Sequence, residues 1–251
     1  MVGVPGRHAV EENLRAVRED LRADFCILNG ENLADGVGIT PKLADRMLSV
    51  GADAITLGNH VWRRREILPY LDESERVVRP ANLSVRSPGK GLAVVPAANG
   101  GEVAVINLLG ALFLGPTLGP FEVVDDIVDE ARQRTPVIVV DMHAEATSEK
   151  VAMARWLDGK VTAVIGTHTH VQTNDARVQA GGTAAITDAG MTGPHDSVIG
   201  VVPELAIRSM RTGMPVRFET ASGDIRIEGV LIECGADGRA TSCEAVRISV
   251  T

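Results

Sequence analysis

Four short apolar runs in this chain end in residue types that bind metals or move protons. They are Asn29-Gly30-Glu31-Asn32, Gly58-Asn59-His60, Asp141-Met142-His143-Ala144-Glu145 and Gly166-Thr167-His168-Thr169-His170. These tips hold four of the six histidines. A lone histidine at a strand end is more often a structural hydrogen-bonder than a ligand, and His8 and His195 are read that way. His168 and His170 differ. At i and i+2 of an extended segment both imidazoles project to one side, which leaves Thr167 and Thr169 on the other, in the packing. Two neutral imidazoles side by side suit a divalent metal, and His143 and the Glu31 carboxylate at other tips make metal binding the favoured reading.

No cysteine joins the set, so soft thiolate sites are excluded; imidazole, carboxylate and amide oxygen together suit Fe, Mn, Zn or Co. Glu31 has two oxygens with which to bridge two ions, and Asn59 offers an amide oxygen to one of them. Two ions about 3.5–4 Å apart hold a bridging hydroxide and polarise a phosphoryl oxygen. His60, beside Asn59, would then stand near the leaving oxygen as a general acid.

Such tips converge when they lie past the C-termini of strands in an α/β sheet. The order of elements fits. After a Gly-Pro-Gly turn (VGVPGR), Val10, Leu14, Val17 and Leu21 recur at helical spacing. DFCILNGEN reads as a strand, ITPKLADRMLSVGA as a helix, DAITLGNH as a strand and VWRRREILPYLDES as a helix. KGLAVVPAANGGEVAVINLLG predicts two strands around a Gly-Gly turn. FEVVDDIVDEARQR and SEKVAMARWLDG read as helices, alternating with the strands TPVIVVDMHAE, VTAVIGTHTH and TAAITDAG. The segment from Met214 onward alternates and reads as β-hairpins. No repeat or composition break divides residues 1–251, so one domain is expected.

Composition narrows the function classes. A 45% apolar and 23% charged chain is ordinary for a soluble globular protein, and 3% aromatics leave the core to aliphatic side chains. A net charge of −8 argues against a groove that grips long nucleic acids, but leaves a small phosphate substrate open, since bound ions can supply positive charge. The sequence shows no membrane span or signal segment. Cys26, Cys234 and Cys243 have neither disulfide nor zinc spacing and read as reduced thiols, so a cytoplasmic location is expected.

The stretches LNGEN, TLGNHVW, RPANL, DMHAEATSEK, GTHTHVQTNDAR and ITDAGMTGPHDSVIG resemble the YmdB-like branch of the calcineurin-type metallophosphoesterases, over nearly the whole chain. The resemblance implies a four-layer αββα sandwich, a dinuclear Fe/Mn-type centre and hydrolysis of 2′,3′-cyclic nucleotides at the 2′ bond. It implies Glu31 as the bridging ligand and Asn32 and His170 as ligands of the first ion. Asn59, His143 and His168 are implied as ligands of the second, and His60 as the proton donor. Asp141 and Glu145 match the flanking pattern and are read as orienters of the histidines. Asp196 is left open between a structural place and the substrate mouth, and the oligomeric state is left open as well.

One departure stands out. The family pattern starts with an apolar strand ending in Gly-Asp-Val, just before the turn that matches VGVPGR. That strand and its metal-binding Asp are expected to be missing here, leaving unpaired ladder groups beside it, and a start assigned too far downstream is the favoured explanation. A regulatory nucleotide-binding protein on the same fold is the alternative reading. A metal-dependent amide hydrolase gains nothing from the Asn59-His60 pair.

Overall fold

Residues 1–250 are described in the computed structural model. In chain order the elements are α1 (Gly3–Asp20), β1 (Ile27–Asn29), α2 (Pro41–Ser49), β2 (Ala54–Thr56), α3 (Ile67–Glu73), β3 (Val77–Val78), β4 (Leu92–Pro96), β5 (Glu102–Leu109) and α4 (Pro120–Arg132). There follow β6 (Ile138–His143), α5 (Thr147–Trp156), β7 (Ala163–Thr167), β8 (Arg177–Val178), β9 (Ala184–Ile186), β10 (Gly193–Asp196), α6 (Pro203–Thr212), β11 (Gly223–Cys234) and β12 (Ala240–Ser249). No helix among the described residues is long and apolar enough to cross a membrane.

The strands form a six-stranded sheet in the order β4-β5-β6-β7-β9-β8 and two three-stranded sheets, β1-β2-β3 and β10-β11-β12. Period-2 alternation assigns each face of the large sheet a partner. Ala104, Ile106 and Leu108 of β5 and Ile138, Val140 and Met142 of β6 pack with Val124, Val128 and Met153 of α4 and α5. The opposite face carries Val103, Val105 and Val139 against Ala54 and Val78 of the first small sheet. Farther along, Ala163, Ile165 and Ile186 meet Val230 and Ile232 of the long hairpin. Val10 and Leu14 of α1, Met47 of α2 and Ile67 and Leu71 of α3 close the outer side of the first small sheet. The result is helix, sheet, sheet, helix: a four-layer αββα sandwich with two apolar interfaces flanking a central one.

The two small sheets are bridged at Val2. Its N–H donates to Thr192 O (2.9 Å), the Gly3 N–H donates to Asn32 O (2.9 Å), and Val2 pairs in parallel with Asn32. The Met1 amine donates to Asn29 O at 3.0 Å. The carbonyls of Asn29, Asn32 and Thr192 are therefore paired, while β1 itself has a strand partner on one side only, as expected beside a missing strand.

Three local expectations need correction. VGVPGR is not a turn ahead of a helix: α1 already begins at Gly3. Pro5 lies in its first turn, where the missing N–H has no helical acceptor to lose. Gly6 is a packing glycine, because a Cβ there would stand 2.4 Å from Thr192 O. The helix expected over VWRRREILPYLDES is confined to Ile67–Glu73. The residues ahead of it form a loop, in which Arg64 donates to Ala34 O at 2.8 Å and Val37 O at 3.3 Å. Finally, α6 was not anticipated, although Pro203 in its first turn and Gly213 at φ 65 after its end are ordinary boundary signals.

The thiols test the outer layer. Burial pushes the Cys26 thiol up to about 12, whereas Cys234 is exposed. At about pH 8, near the ordinary thiol pKa, a disulfide reagent such as DTNB should titrate Cys234 in the native protein and Cys26 only after unfolding. Equal rates would show that the face behind α1 is open.

Candidate metal centre

β5, β6 and β7 are parallel neighbours in which Leu109, His143 and Thr167 share a register position at the C-terminal edge of the large sheet. The inward face of β6 runs Val139, Asp141, His143, changing from apolar packing to polar donors as it reaches that edge. From the facing small sheet, the residues after β1 (Glu31, Asn32) and after β2 (Asn59, His60) arrive at the same place. The tips named from sequence thus converge from two sheets.

Their closest point is the Nε2 of His143. Glu31 Oε2 lies 2.9 Å from it, Asn59 Oδ1 3.1 Å and His168 Nδ1 3.1 Å. The His143 and His168 rings meet edge to face with centroids 4.8 Å apart. Glu31, His143 and His168 have ligand atoms that all lie within 4.8 Å of one another. Such a set fits a cation. The Thr167 hydroxyl donates to Asp141 Oδ1 (2.6 Å), so it accepts from His143 Nδ1 (2.9 Å) and leaves Nε2 with its lone pair toward the other donors. An oxygen of a carboxylate, an oxygen of an amide and two imidazole nitrogens then face one point, a donor set for Fe, Mn or Zn.

The electrostatics agree. Burial acts to lower the His143 pKa, but the Glu31 and Asp141 carboxylates outweigh it and raise it; this position draws positive charge. Burial would raise the Glu31 pKa, yet His143 and His60 hold it down at about 2, so the carboxylate is ionised throughout the physiological range. His168 is lowered by burial and by His143, and His170 by burial, so both are neutral imidazoles fit to be ligands.

A second set of donors adjoins the first. His170 Nε2 is 3.2 Å from the Asn32 amide nitrogen, and Asn32 Oδ1 is 2.8 Å from His60 Nδ1. Glu31 Oε1 accepts from the His60 N–H (2.9 Å) and lies 3.4 Å from its Nδ1. Glu31, Asn32, His143, His168 and His170 all line one cavity of about 30 Å³, with Met1 and Met191 at its wall. Glu31 thus turns Oε2 to His143 and Oε1 to His60.

The residues read as orienters are placed differently from one another. Asp141 does not touch His143; it acts through Thr167, and is itself held by Thr56 and by Asn29 Nδ2 (3.1 Å). Glu145 is exposed and meets His168 Nε2 directly at 2.9 Å. Asp196 is an exposed residue of β10 whose Cα pairs with Gly223. Two expectations fail. Thr167 and Thr169 are not packing residues: Thr167 links Asp141 to His143, and the Thr169 hydroxyl donates to Asp188 at 2.7 Å. The reason is that β7 stops at Thr167. His168 and His170 then take φ values of 99° and 64°, so a turn, and not strand alternation, directs the two rings.

Gly58 belongs to a tip named from sequence, but its role there is visible only in the fold. A Cβ there would stand 2.3 Å from His143 Nε2 and 2.6 Å from its Cδ2. Only glycine lets the strand end before Asn59 pass this closely over the imidazole.

A four-layer αββα sandwich with carboxylate, amide and imidazole donors at the meeting edge of its sheets defines a metallophosphoesterase fold. The family model for YmdB-like proteins matches residues 1–246. The chain belongs to this YmdB-like family. It is 48% identical over 233 residues to the 2′,3′-cyclic-nucleotide 2′-phosphodiesterase of Bacillus subtilis, covering 93% of this chain and 88% of that protein. The crystal structure of a hypothetical protein from Thermus thermophilus superposes with a TM-score of 0.92 at 37% identity, covering 99% of this chain and 96% of the other. A phosphatase structure from Mycoplasma pneumoniae gives 0.90 at 34% identity, covering 99% and 90%.

Proposed function

We propose that residues 1–251 form a single metallophosphoesterase domain that hydrolyses 2′,3′-cyclic nucleotides at the 2′ bond, using two metal ions of the Fe or Mn type. The observation that carries this is the convergence of Glu31, Asn59 and His168 on His143 Nε2 at 2.9–3.1 Å. The nucleotide and the bond cleaved are taken from the Bacillus subtilis relative's activity. Asn59, His143 and His168 would hold one ion, Asn32 and His170 the other, and Glu31 both. When bound, the ions supply Lewis-acid polarisation of a phosphoryl oxygen and make water a nucleophile at neutral pH.

The chain's own residues do the rest. Asp141, through Thr167, keeps the His143 tautomer that presents Nε2. Glu145 fixes the His168 ring from the solvent side. Asn32 and Glu31 hold the Nδ1 edge of His60, which leaves its Nε2 free to give a proton to the departing 2′ oxygen. Water oxygen bonds to phosphorus as its proton passes to solvent, the 2′ P–O bond breaks with the His60 proton on the 2′ oxygen, and a nucleoside 3′-monophosphate leaves.

The test is metal analysis of the purified protein together with turnover of 2′,3′-cyclic AMP. Tightly held Fe or Mn and formation of 3′-AMP are expected, with activity lost to a chelator and restored by Mn²⁺. A protein that binds no metal ion, or turnover unaffected by chelation, would sink the proposal.

A further inference from the structure

Directly behind the two site histidines of the 168–170 turn lies an ion pair that the reaction does not use. Lys150 of α5 and Asp188, two residues past β9, are both buried and 2.9 Å apart. Besides the lysine, Asp188 Oδ2 accepts from the Thr169 N–H (3.0 Å) and the Thr169 hydroxyl (2.7 Å), and Oδ1 accepts from the Gly190 N–H (2.8 Å). Thr169 stands between His168 at φ 99° and His170 at φ 64°, a backbone conformation that side-chain-bearing residues rarely adopt.

We propose that Lys150 and Asp188 are positioning residues for the metal centre: their buried pair anchors Thr169 and so holds His168 and His170 with both imidazoles turned into the cavity. The inference rests on the metal-centre reading above. Left to itself, the turn would relax toward negative φ and rotate the rings away from Glu31 and Asn32. Anchoring requires an acceptor that takes both Thr169 donors on one oxygen, which a carboxylate does well. A buried carboxylate in turn requires a cation, and Lys150 supplies it. The charges themselves need a purpose besides stability, because apolar residues of similar volume often replace a buried ion pair without loss of stability.

Lys150→Met/Asp188→Leu removes both charges and, with them, the acceptor of the Thr169 and Gly190 donors. Mn²⁺ affinity, read from the EPR signal of the free ion, should weaken about 10- to 100-fold, the range for losing an outer-shell partner, in protein that circular dichroism shows to be folded, although the unpaired Thr169 and Gly190 donors lower its thermal midpoint. Wild-type affinity in the folded double variant would overturn the proposal. Should that variant not fold, Thr169→Val keeps the pair and removes only the hydroxyl; weakened Mn²⁺ binding supports the anchor, and unchanged binding overturns it. If the wild type binds no Mn²⁺, the metal reading falls by itself. The anchor is then decided by backbone coupling constants and carbon shifts of His168 and His170 in the metal-free protein: movement away from left-handed values in the variants supports it, and unchanged values overturn it.

Discussion

His60→Ala is expected to lower kcat for a 2′,3′-cyclic nucleotide by about 100- to 10,000-fold, the usual worth of a positioned general acid, with the metal content unchanged. His60 reaches the site by its Nδ1 edge, 2.8 Å from Asn32 Oδ1 and 3.4 Å from Glu31 Oε1, and is not among the donors around His143 Nε2. Removing it should leave those donors in place while depriving the 2′ alkoxide of its proton. Burial lowers the His60 pKa, helped by Arg63 and His143, while Glu31 opposes the shift. An acid must be protonated to act, so kcat/KM of the wild type should fall as pH rises, starting below the ordinary imidazole range. The variant should lack that limb. A substrate with an aryloxide leaving group, which departs without a proton, should be much less affected. A variant that loses metal along with rate, or keeps the same pH limb, would remove His60 from this role.

Gly58→Ala should be nearly as damaging although it deletes nothing. The new methyl would lie 2.3 Å from His143 Nε2 and 2.5 Å from Cε1. The ring cannot retreat, because His143 is buried and its Nδ1 is tied to Thr167. Gly58 cannot retreat either, since Leu57 before it is fully buried. Overpacking of this kind costs about 1–3 kcal/mol, a fall of about 2–12 °C in thermal midpoint at this chain length. Displacing His143 should also weaken Mn²⁺ binding by at least about tenfold, as loss of outer-shell support does. Gly229→Ala is the control, because a Cβ there meets nothing within 4 Å. Equal metal affinity in the two variants would show that the close passage over His143 is not needed.

The convergence was legible because candidate metal ligands are few in kind. Glu31, Asn59, His143 and His168 could be picked out by residue type at the ends of apolar runs, and the structure brings them within about 3 Å of a common atom. The layers were legible too: 3.6- and 2-residue periods mark which faces need partners. Boundaries were harder. VGVPGR carries turn residues, but whether Gly6 marks a turn or a contact depends on Thr192, which is distant in sequence. Residues 61–66 have helical composition, yet tertiary hydrogen bonds to residues 34–37 hold them as a loop.

Residue type and periodicity are local properties, and they were enough to pick out the side chains that could bind a metal or move a proton and to put them at strand ends. How those side chains are aimed came with the packed fold. The His143 tautomer depends on Thr167 and Asp141, the His168 and His170 backbone on Asp188 and Lys150, and the approach of Asn59 on the bare Cα of Gly58. Each of these is a contact between residues from different elements, and such contacts exist only once the two sheets have packed.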